Sequence, residues 1–218
     1  MTGAPFARGR HPRSRKTPRT VYEYRCWPPC EGPLAGRLER DWRPVRAETR
    51  ADIYLLSAIS DSCLVRLRDG VMLEIKSRFA DAGPLQCWTM ARSVPFPMSP
   101  DDFLDVAVSL GLSEMPEEQA ALSPAHLLSS LGAASRPVVA QSVTKSRLLF
   151  ERGICRTELC KVRWAGGEVL SLAVSDPCRQ GAMAAVRELG LERHRNQSYG
   201  EFLVPPPLSV VSASSSPA

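Results

Sequence analysis

Charged residues occupy every second position along several short segments of this chain, where they alternate with aliphatic residues. The clearest case is a hairpin in which Arg66 and Arg68 precede a short Asp-Gly turn and Glu74, Lys76 and Arg78 follow it. Because successive side chains of a strand point to opposite faces, these charges form one row. The same pattern recurs in the pairs Glu23 and Arg25, Arg50 and Asp52, Lys145 and Arg147, and Arg156 and Glu158. Rows of mixed charge on several strands predict a barrel with a charged lumen and an apolar, covered outer face.

Such a lumen would bind a multiply charged anion, while its carboxylates hold a divalent metal. The chain contains 24 Arg but only four Lys, and two of these, Lys76 and Lys145, fall on the charged strand faces. Arg grips phosphate oxygens with a planar fork, and Lys offers a compact point charge. Carboxylate oxygens are the ligands that Mg²⁺ or Mn²⁺ prefers. The alternative is a solvated strand face on which each acid pairs with a neighbouring cation.

The length of 218 residues and the hydrophobic content of 44% predict one domain with a substantial core, or two small ones. No apolar run in the sequence reaches the roughly 20 residues that span a bilayer. The basic N-terminus has no apolar segment behind it, so we expect no secretory signal and a cytoplasmic location. The seven cysteines are therefore expected to be reduced thiols.

The two ends of the chain differ in composition from the rest. Residues 1–19 are rich in Arg and Pro and hold six positive charges before the first acid, Glu23, which leaves the remainder near neutral. We expect a disordered basic tail at 1–19, one barrel domain at 20–204, and a second disordered tail at the Pro- and Ser-rich residues 205–218. A basic tail can touch nucleic acid or an anionic membrane, and no other part of the chain predicts either contact.

Period-two segments and capping signals predict an α+β fold. Strands are predicted at 20–27, 48–56, 62–68, 71–79, 85–92, 138–151, 154–164 and 168–175. Helices are predicted at 34–43, from the Ser99-Pro100 cap to Gly111, from the Ser123-Pro124 cap to Gly132, and at 177–190. The expected architecture is an antiparallel β-barrel with flanking helices.

The common catalytic motifs are missing from the sequence. It has no glycine-rich phosphate loop, no G-x-G-x-x-G and no G-x-S-x-G elbow. Cys26 and Cys30 are spaced as C-x3-C, which fits neither the usual zinc knuckle nor a C-x-x-C redox pair. The charged strand faces therefore remain as the candidate functional site.

Several of these segments resemble one family in their order and spacing. Leu64-Val65-Arg66-Leu67-Arg68 resembles its L-R-I-R strand, Glu74-Ile75-Lys76 the strand that ends in a phosphate-binding Lys, Lys145-Ser146-Arg147 its K-x-R strand, and Cys155-Arg156-Thr157-Glu158-Leu159 its C-x-x-E-L segment. From about residue 21 to residue 203 the chain resembles the CYTH superfamily, the triphosphate tunnel metalloenzymes. The resemblance implies an antiparallel barrel with a charged tunnel that binds a triphosphate or polyphosphate, inorganic or nucleotide.

The same resemblance assigns a role to each charged position. The residues expected to bind phosphate oxygens are Arg25, Arg66, Arg68, Lys76, Lys145 and Arg147, with Lys76 also expected to be catalytic. The residues expected to hold Mg²⁺ or Mn²⁺ are Glu23, Glu74, Glu158 and Asp52. Metal-dependent hydrolysis would follow if these acids converge, because positioned metal neutralises charge on the transferring phosphate.

Three departures from the family pattern weaken its acidic half. The opening E-x-E-x-K motif is replaced by Val21, Glu23 and Arg25, and the fifth strand has no acid at Gln86, Trp88 or Met90. On the eighth strand Ser175 stands where a Glu is expected, with Asp176 beside it. Cations alone bind a triphosphate without lowering the barrier to its cleavage. The alternative function is therefore a degenerate, non-catalytic phosphate-binding or interaction module.

Overall fold

A computed structural model describes residues 20–29, 32–57, 62–112, 122–133 and 138–204. The two predicted tails, 1–19 and 205–218, lie outside the described residues. The strands are β1 (Thr20–Cys26), β2 (Arg43–Leu56), β3 (Cys63–Arg68), β4 (Met72–Ala82), β5 (Leu85–Pro95), β6 (Val139–Arg152), β7 (Cys155–Trp164) and β8 (Gly167–Asp176). The helices are α1 (Leu34–Asp41), α2 (Pro100–Ser109), α3 (Pro124–Gly132), α4 (Arg179–Glu188) and α5 (Tyr199–Leu203), with a short 3-10 helix at Leu191–Arg193.

The eight strands form a closed antiparallel barrel. Neighbouring strands follow the order β1-β5-β4-β3-β2-β6-β7-β8, and β8 pairs with β1 to complete the circle. Closure satisfies the backbone hydrogen bonds that an open sheet would leave on its two edge strands. The predicted α+β barrel with flanking helices is thus confirmed.

Local signals in the sequence explain how the elements begin and turn. Asp69 and Gly70 both adopt positive φ, of 48° and 70°, as the tight turn between β3 and β4 requires. The hydroxyl of Ser99 accepts a hydrogen bond from the backbone N–H of Asp102 at the start of α2, and Ser123 caps α3 in the same way. The predicted starts of both helices are confirmed.

Some element boundaries differ from the predictions. Strand β2 begins at Arg43, five residues before the predicted start at 48. Pro44 and the run of exposed charged residues there give no alternating signal, and pairing with β6 from Glu151 onward holds this segment in the sheet. The segment before residue 204 holds α5, which the sequence patterns did not predict as a helix.

Apolar packing on the outside of the barrel forms two layers, and a third apolar cluster, made by inward-facing strand residues together with α5, closes one end of the interior. Leu38 of α1 and Val186 of α4 pack with Leu172 of β8 in one layer. Val106 of α2 and Leu127 of α3 belong to the other, which covers β3, β4 and β5. Because the two outer layers cover one face of the strands, the charged side chains at the alternate positions face the lumen. The six cysteines that the structure describes are free thiols, and no helix in the described ranges is long and apolar enough to cross a membrane.

Candidate functional site

The inner faces of the strands enclose a cavity of about 470 Å³ with a charged wall. Eight of the charged residues that line this cavity, together with four more, are joined by ion pairs. The twelve are named here the lumen network: Arg25, Arg50, Arg66, Lys76, Lys145, Arg147, Glu23 and Glu158 on the cavity wall, with Arg68, Glu48, Asp52 and Glu74 joined to it. Seven cations and five carboxylates give the network an excess of two positive charges. Exposed Arg46 and Arg156 also line the cavity, together with Glu151, which pairs with Arg156 at 3.0 Å.

The β3–β4 hairpin contributes two guanidinium groups that share one carboxylate. The strand register places Arg66 opposite Glu74. Nε and Nη2 of Arg66 donate to Oε2 of Glu74 at 2.8 and 2.6 Å, and Nη2 of Arg68 donates to the same oxygen at 2.8 Å. One negative charge therefore balances two positive ones at this point of the wall.

On the opposite side of the lumen, Arg25 lies between two carboxylates. Its Nη1 donates to Oε1 of Glu158 at 3.1 Å, and its Nε donates to Oε1 of Glu23 at 3.4 Å. Nζ of Lys76 also reaches Glu23, at 3.3 Å, and Nε of Arg147 reaches Glu158, at 2.8 Å. Each of these two carboxylates therefore contacts two cations.

The protonation state of the two acids follows from these contacts. Burial would raise the pKa of Glu23, but Lys76 and Arg25 outweigh burial and hold that pKa below its ordinary value. Burial acts on Glu158 in the same way, and Arg25 and Arg147 hold its pKa well below its usual range. Both groups are carboxylates at neutral pH, and their charge is already balanced by neighbouring cations.

Strands β2 and β6 complete the network. Glu48 lies opposite Arg147 in the register and accepts a hydrogen bond from it. Arg50 stands between two acids, with Nη1 4.0 Å from Oε1 of Glu48 and Nη2 3.2 Å from Oδ2 of Asp52. Asp52 in turn lies 3.7 Å from Nη1 of Arg66, which joins this part to the β3–β4 hairpin.

Asp52, Tyr54, Lys145 and Tyr199 form the most deeply buried part of the site, named here the buried group. Nζ of Lys145 donates to Oδ2 of Asp52 at 2.7 Å and to the hydroxyl of Tyr54. The same nitrogen lies 3.9 Å from the centre of the Tyr199 ring, a cation–π contact. Lys145 is 1% exposed and Asp52 is 1% exposed. Helix α5 covers this end of the lumen with Tyr199.

Two network cations are more accessible and less well paired. Arg68 and Lys76, named here the accessible cations, have side chains that are 33% and 25% exposed. Lys76 contacts Glu23, whereas Arg68 shares Glu74 with Arg66. Desolvation, with repulsion from Arg66 and Arg50, lowers the pKa of Arg68 below its ordinary value. The positive charge of Arg68 is thus poorly compensated within the protein.

Some buried polar atoms of the network have no partner. Among the described residues, Nε of Arg50, Nε of Arg68 and Oδ1 of Asp52 are buried without a hydrogen-bond partner. A buried donor that lacks an acceptor costs about 1–3 kcal/mol. Of the two guanidinium groups, that of Arg50 lines the cavity, where an anion could supply the missing acceptor.

The four acids expected to hold a metal lie in two separate pairs. Glu23 and Glu158 are linked through Arg25, and Asp52 and Glu74 through Arg66. The described part of the chain contains no group of three or more His, Cys, Asp or Glu residues that could hold a metal ion. With a cation between the members of each pair, this arrangement does not fit Mg²⁺ or Mn²⁺, which need several converging oxygens. The metal site stays a prediction that these contacts do not support.

The neighbouring positions do not supply the missing oxygens. Nε2 of Gln86 donates to Glu201 at 2.9 Å, and the side-chain oxygen of Gln86 accepts from Trp88 at 3.1 Å. Asp176 lies opposite Tyr22 and accepts a hydrogen bond from the N–H of Cys178 at 2.6 Å, where α4 begins. Its carboxylate therefore binds the backbone just before α4, on the face opposite to the lumen, and does not supply the Glu that is expected at Ser175.

The ten residues predicted for the site all belong to the lumen network, although their roles stay predictions. The network also includes Arg50, which the sequence pattern placed on a charged strand face without a role in the site, and Glu48, which was not predicted. Both lie an even number of residues from Asp52 on β2, so their side chains point to the same face of the strand. The alternating pattern could therefore have identified them. Tyr199 was missed as part of the site, because a tyrosine on a five-residue helix has no periodic signal.

No family model and no curated protein matches the chain. Solved structures do match it. An adenylyl cyclase candidate from Hippeastrum, described as having a dominant triphosphatase activity, matches with a TM-score of 0.50 and 12% identity over 87% of this chain and 98% of that one. A conserved hypothetical protein from Pyrococcus furiosus matches with a TM-score of 0.49 and 16% identity over 83% and 98% of the two chains. The Hippeastrum match and the closed barrel confirm the CYTH-like tunnel fold, and at this identity they show the fold alone.

Proposed function

We propose that the lumen binds a linear triphosphate or polyphosphate, either inorganic or carried by a nucleotide. The observation that carries the proposal is the lumen network itself, in which seven cations outnumber five carboxylates and two buried guanidinium nitrogens lack an acceptor. Oxygens of a phosphate chain could accept from Arg50, which lines the cavity, and balance the excess charge. The fold shared with a protein described as a triphosphatase supports the same class of ligand.

The cations differ in what they can offer a phosphate chain. Arg50 lines the cavity and has an unpartnered Nε, so it can donate to the ligand without giving up an existing bond. Arg68, whose Nε is also unpartnered, is joined to the cavity wall through Glu74 and Arg66. Lys76 adds an accessible point charge with a single carboxylate partner at 3.3 Å. Arg25, Arg66 and Arg147 are held by acids and contribute mainly through the field of the wall.

Binding without turnover is the activity that this wall supports best. A site that holds the substrate and the transition state equally well does not lower the barrier to cleavage. Metal-dependent hydrolysis, with Lys76 as a catalytic cation and Glu23, Glu74, Glu158 and Asp52 as Mg²⁺ or Mn²⁺ ligands, is the second candidate. It is favoured by the activity described for the Hippeastrum protein, and it requires the acids to release their present cation partners.

Calorimetric titration of the full chain with tripolyphosphate tests the proposal. Wild type is expected to bind, and Lys76→Met to bind about ten- to a hundredfold more weakly, because one charge-assisted contact is lost. Lys161→Met is the matched control, since Lys161 is an exposed lysine on the outer face of β7. Equal losses in the two variants, or no binding by wild type, would refute a phosphate site in the lumen.

Free phosphate measured in the same samples separates the two candidates. Binding without phosphate release in the presence of Mg²⁺ or Mn²⁺ is the expected result for a binding module. Metal-dependent release that Lys76→Met abolishes would establish the hydrolase instead.

A further inference from the structure

The carboxylates of the lumen network are all committed to cations of the same wall. Each contacts at least two: Glu74 contacts Arg66 and Arg68 at 2.6 and 2.8 Å. Asp52 contacts Lys145 at 2.7 Å and Arg50 at 3.2 Å. Oδ1 of Asp52 has no hydrogen-bond partner among the described residues, but every carboxylate as a group is shared with cations, so a divalent ion would have to compete with those cations for it.

The acid pair that comes nearest to a metal site lacks a third carboxylate. The register sets Glu23 beside Ser175 and Glu158 beside Ala173, so these four positions adjoin one another on the inner face. Ser175 and Ala173 bring no carboxylate there, and Arg25 occupies the space between the two acids. Mg²⁺ demands near-octahedral oxygen coordination and gives up its water reluctantly. The pair is built around a guanidinium group and not around a metal ion.

The net positive charge of the wall also disfavours a divalent metal ion. An excess of positive charge attracts a phosphate chain in proportion to the ligand's negative charge, and repels a divalent cation. Tripolyphosphate bound to Mg²⁺ carries two fewer negative charges than the free chain, and the ion covers oxygens that could otherwise accept from Arg50, whose Nε is unpartnered. The free and the metal-bound forms of the ligand are therefore distinguished by this site.

We infer that the lumen takes its phosphate ligand as the free polyanion, and that Mg²⁺ opposes binding by withdrawing the ligand into a complex that the site does not accept. The inference rests on the proposed function and concerns the ionic form of the ligand. It reverses the usual arrangement in which a metal ion bridges carboxylates and phosphates. The protein would then respond to the balance between the ligand and free Mg²⁺.

Calorimetry with tripolyphosphate tests the inference, first in chelator and then at increasing Mg²⁺, with potassium salt adjusted to keep ionic strength constant. When Mg²⁺ complexes all but a tenth of the ligand, the apparent affinity should fall about tenfold, because affinity scales with the competent fraction. Affinity that rises or stays constant with Mg²⁺ would overturn the inference and leave the proposed function intact. Absence of binding under both conditions would instead overturn the proposed function, and the inference with it.

Ser175→Glu provides a second, independent measurement. The change adds a carboxylate at a position that lies between Glu23 and Arg156 in the register, so three acids would lie on the same part of the inner face. In this variant the loss of affinity with Mg²⁺ should be reduced or reversed, whereas Ser175→Gln, of similar size and without the charge, should behave as wild type. If Ser175→Glu and Ser175→Gln respond identically to Mg²⁺, the shortage of carboxylates does not set the metal preference, and the inference fails.

Discussion

The two lysines of the lumen, Lys76 and Lys145, occupy equivalent positions in the sequence pattern but different environments in the barrel. Lys145 is 1% exposed, donates to Asp52 and Tyr54, and lies against the ring of Tyr199. The side chain of Lys76 is 25% exposed and has its contact with Glu23 at the longer distance of 3.3 Å. The same residue type on the same charged face thus belongs to the buried group in one case and to the accessible cations in the other.

This difference separates charges that hold the fold from charges that are available to a ligand. Removing one partner of a buried ion pair leaves the other desolvated and costs several kcal/mol, whereas a partly exposed pair contributes about 1 kcal/mol or less. We therefore expect stability to depend on the buried group and ligand affinity to depend on the accessible cations. The following variants test that division, in order of decreasing effect.

Lys145→Met should lower the free energy of unfolding by about 3 kcal/mol or more, because Asp52 stays buried after losing its shortest ion pair. Urea denaturation measures this change, with a single m value, the dependence of the free energy of unfolding on urea concentration, fitted to both proteins. The double variant Lys145→Met/Asp52→Asn should recover part of the loss, since the uncompensated charge is gone. A single variant as stable as wild type would show that Arg50 and Arg66 alone satisfy Asp52, and the division would not hold.

Acid should destabilise the protein through Glu158. In the folded protein the pKa of Glu158 lies well below the value of about 4.3 that is usual for a glutamate side chain. The stabilisation it gives is therefore present above the unfolded pKa and is lost as the pH falls through and below that value. We expect the free energy of unfolding of the wild type to fall between about pH 5 and pH 2. Glu158→Gln should be about 2 kcal/mol less stable at pH 7, and its free energy of unfolding should fall less over the same pH range. Parallel pH profiles for the two proteins would contradict this assignment.

The barrel itself was predictable from the sequence, because alternation fixes which face of each strand is charged. Arg66, Lys76 and Glu158 could all be assigned to the lumen in this way. What alternation does not specify is how the charges pair, since that depends on strand register and on helices that pack across the end. The separation of Glu23 and Glu158 by Arg25, and the burial of Lys145 under Tyr199, arise from these long-range contacts.

Ser198→Ala tests how firmly α5 covers the buried group. The hydroxyl of Ser198 accepts from the N–H of Glu201, whose carboxylate accepts in return from the N–H of Ser198, a reciprocal capping box. Removing the cap should lower the free energy of unfolding by about 1 kcal/mol. Ser123→Ala, which removes the cap of α3 on the outer layer, is the matched control. Hydrogen exchange at residues 199–203 should accelerate in Ser198→Ala and not in the control, and equal rates in both would contradict the role of the cap.

Arg68→Met should have the smallest effect on stability and still a clear effect on binding. Glu74 keeps two hydrogen bonds from Arg66 after the change, and the repulsion that Arg66 and Arg50 exert on Arg68 is relieved. The free energy of unfolding should therefore change by less than about 1 kcal/mol, in either direction. Tripolyphosphate affinity should fall about tenfold or more, because an accessible guanidinium with an unpartnered nitrogen is lost. If Arg68→Met instead destabilises the barrel as much as Lys145→Met does, without affecting affinity, then the accessible cations are structural too and the lumen charges serve the fold alone.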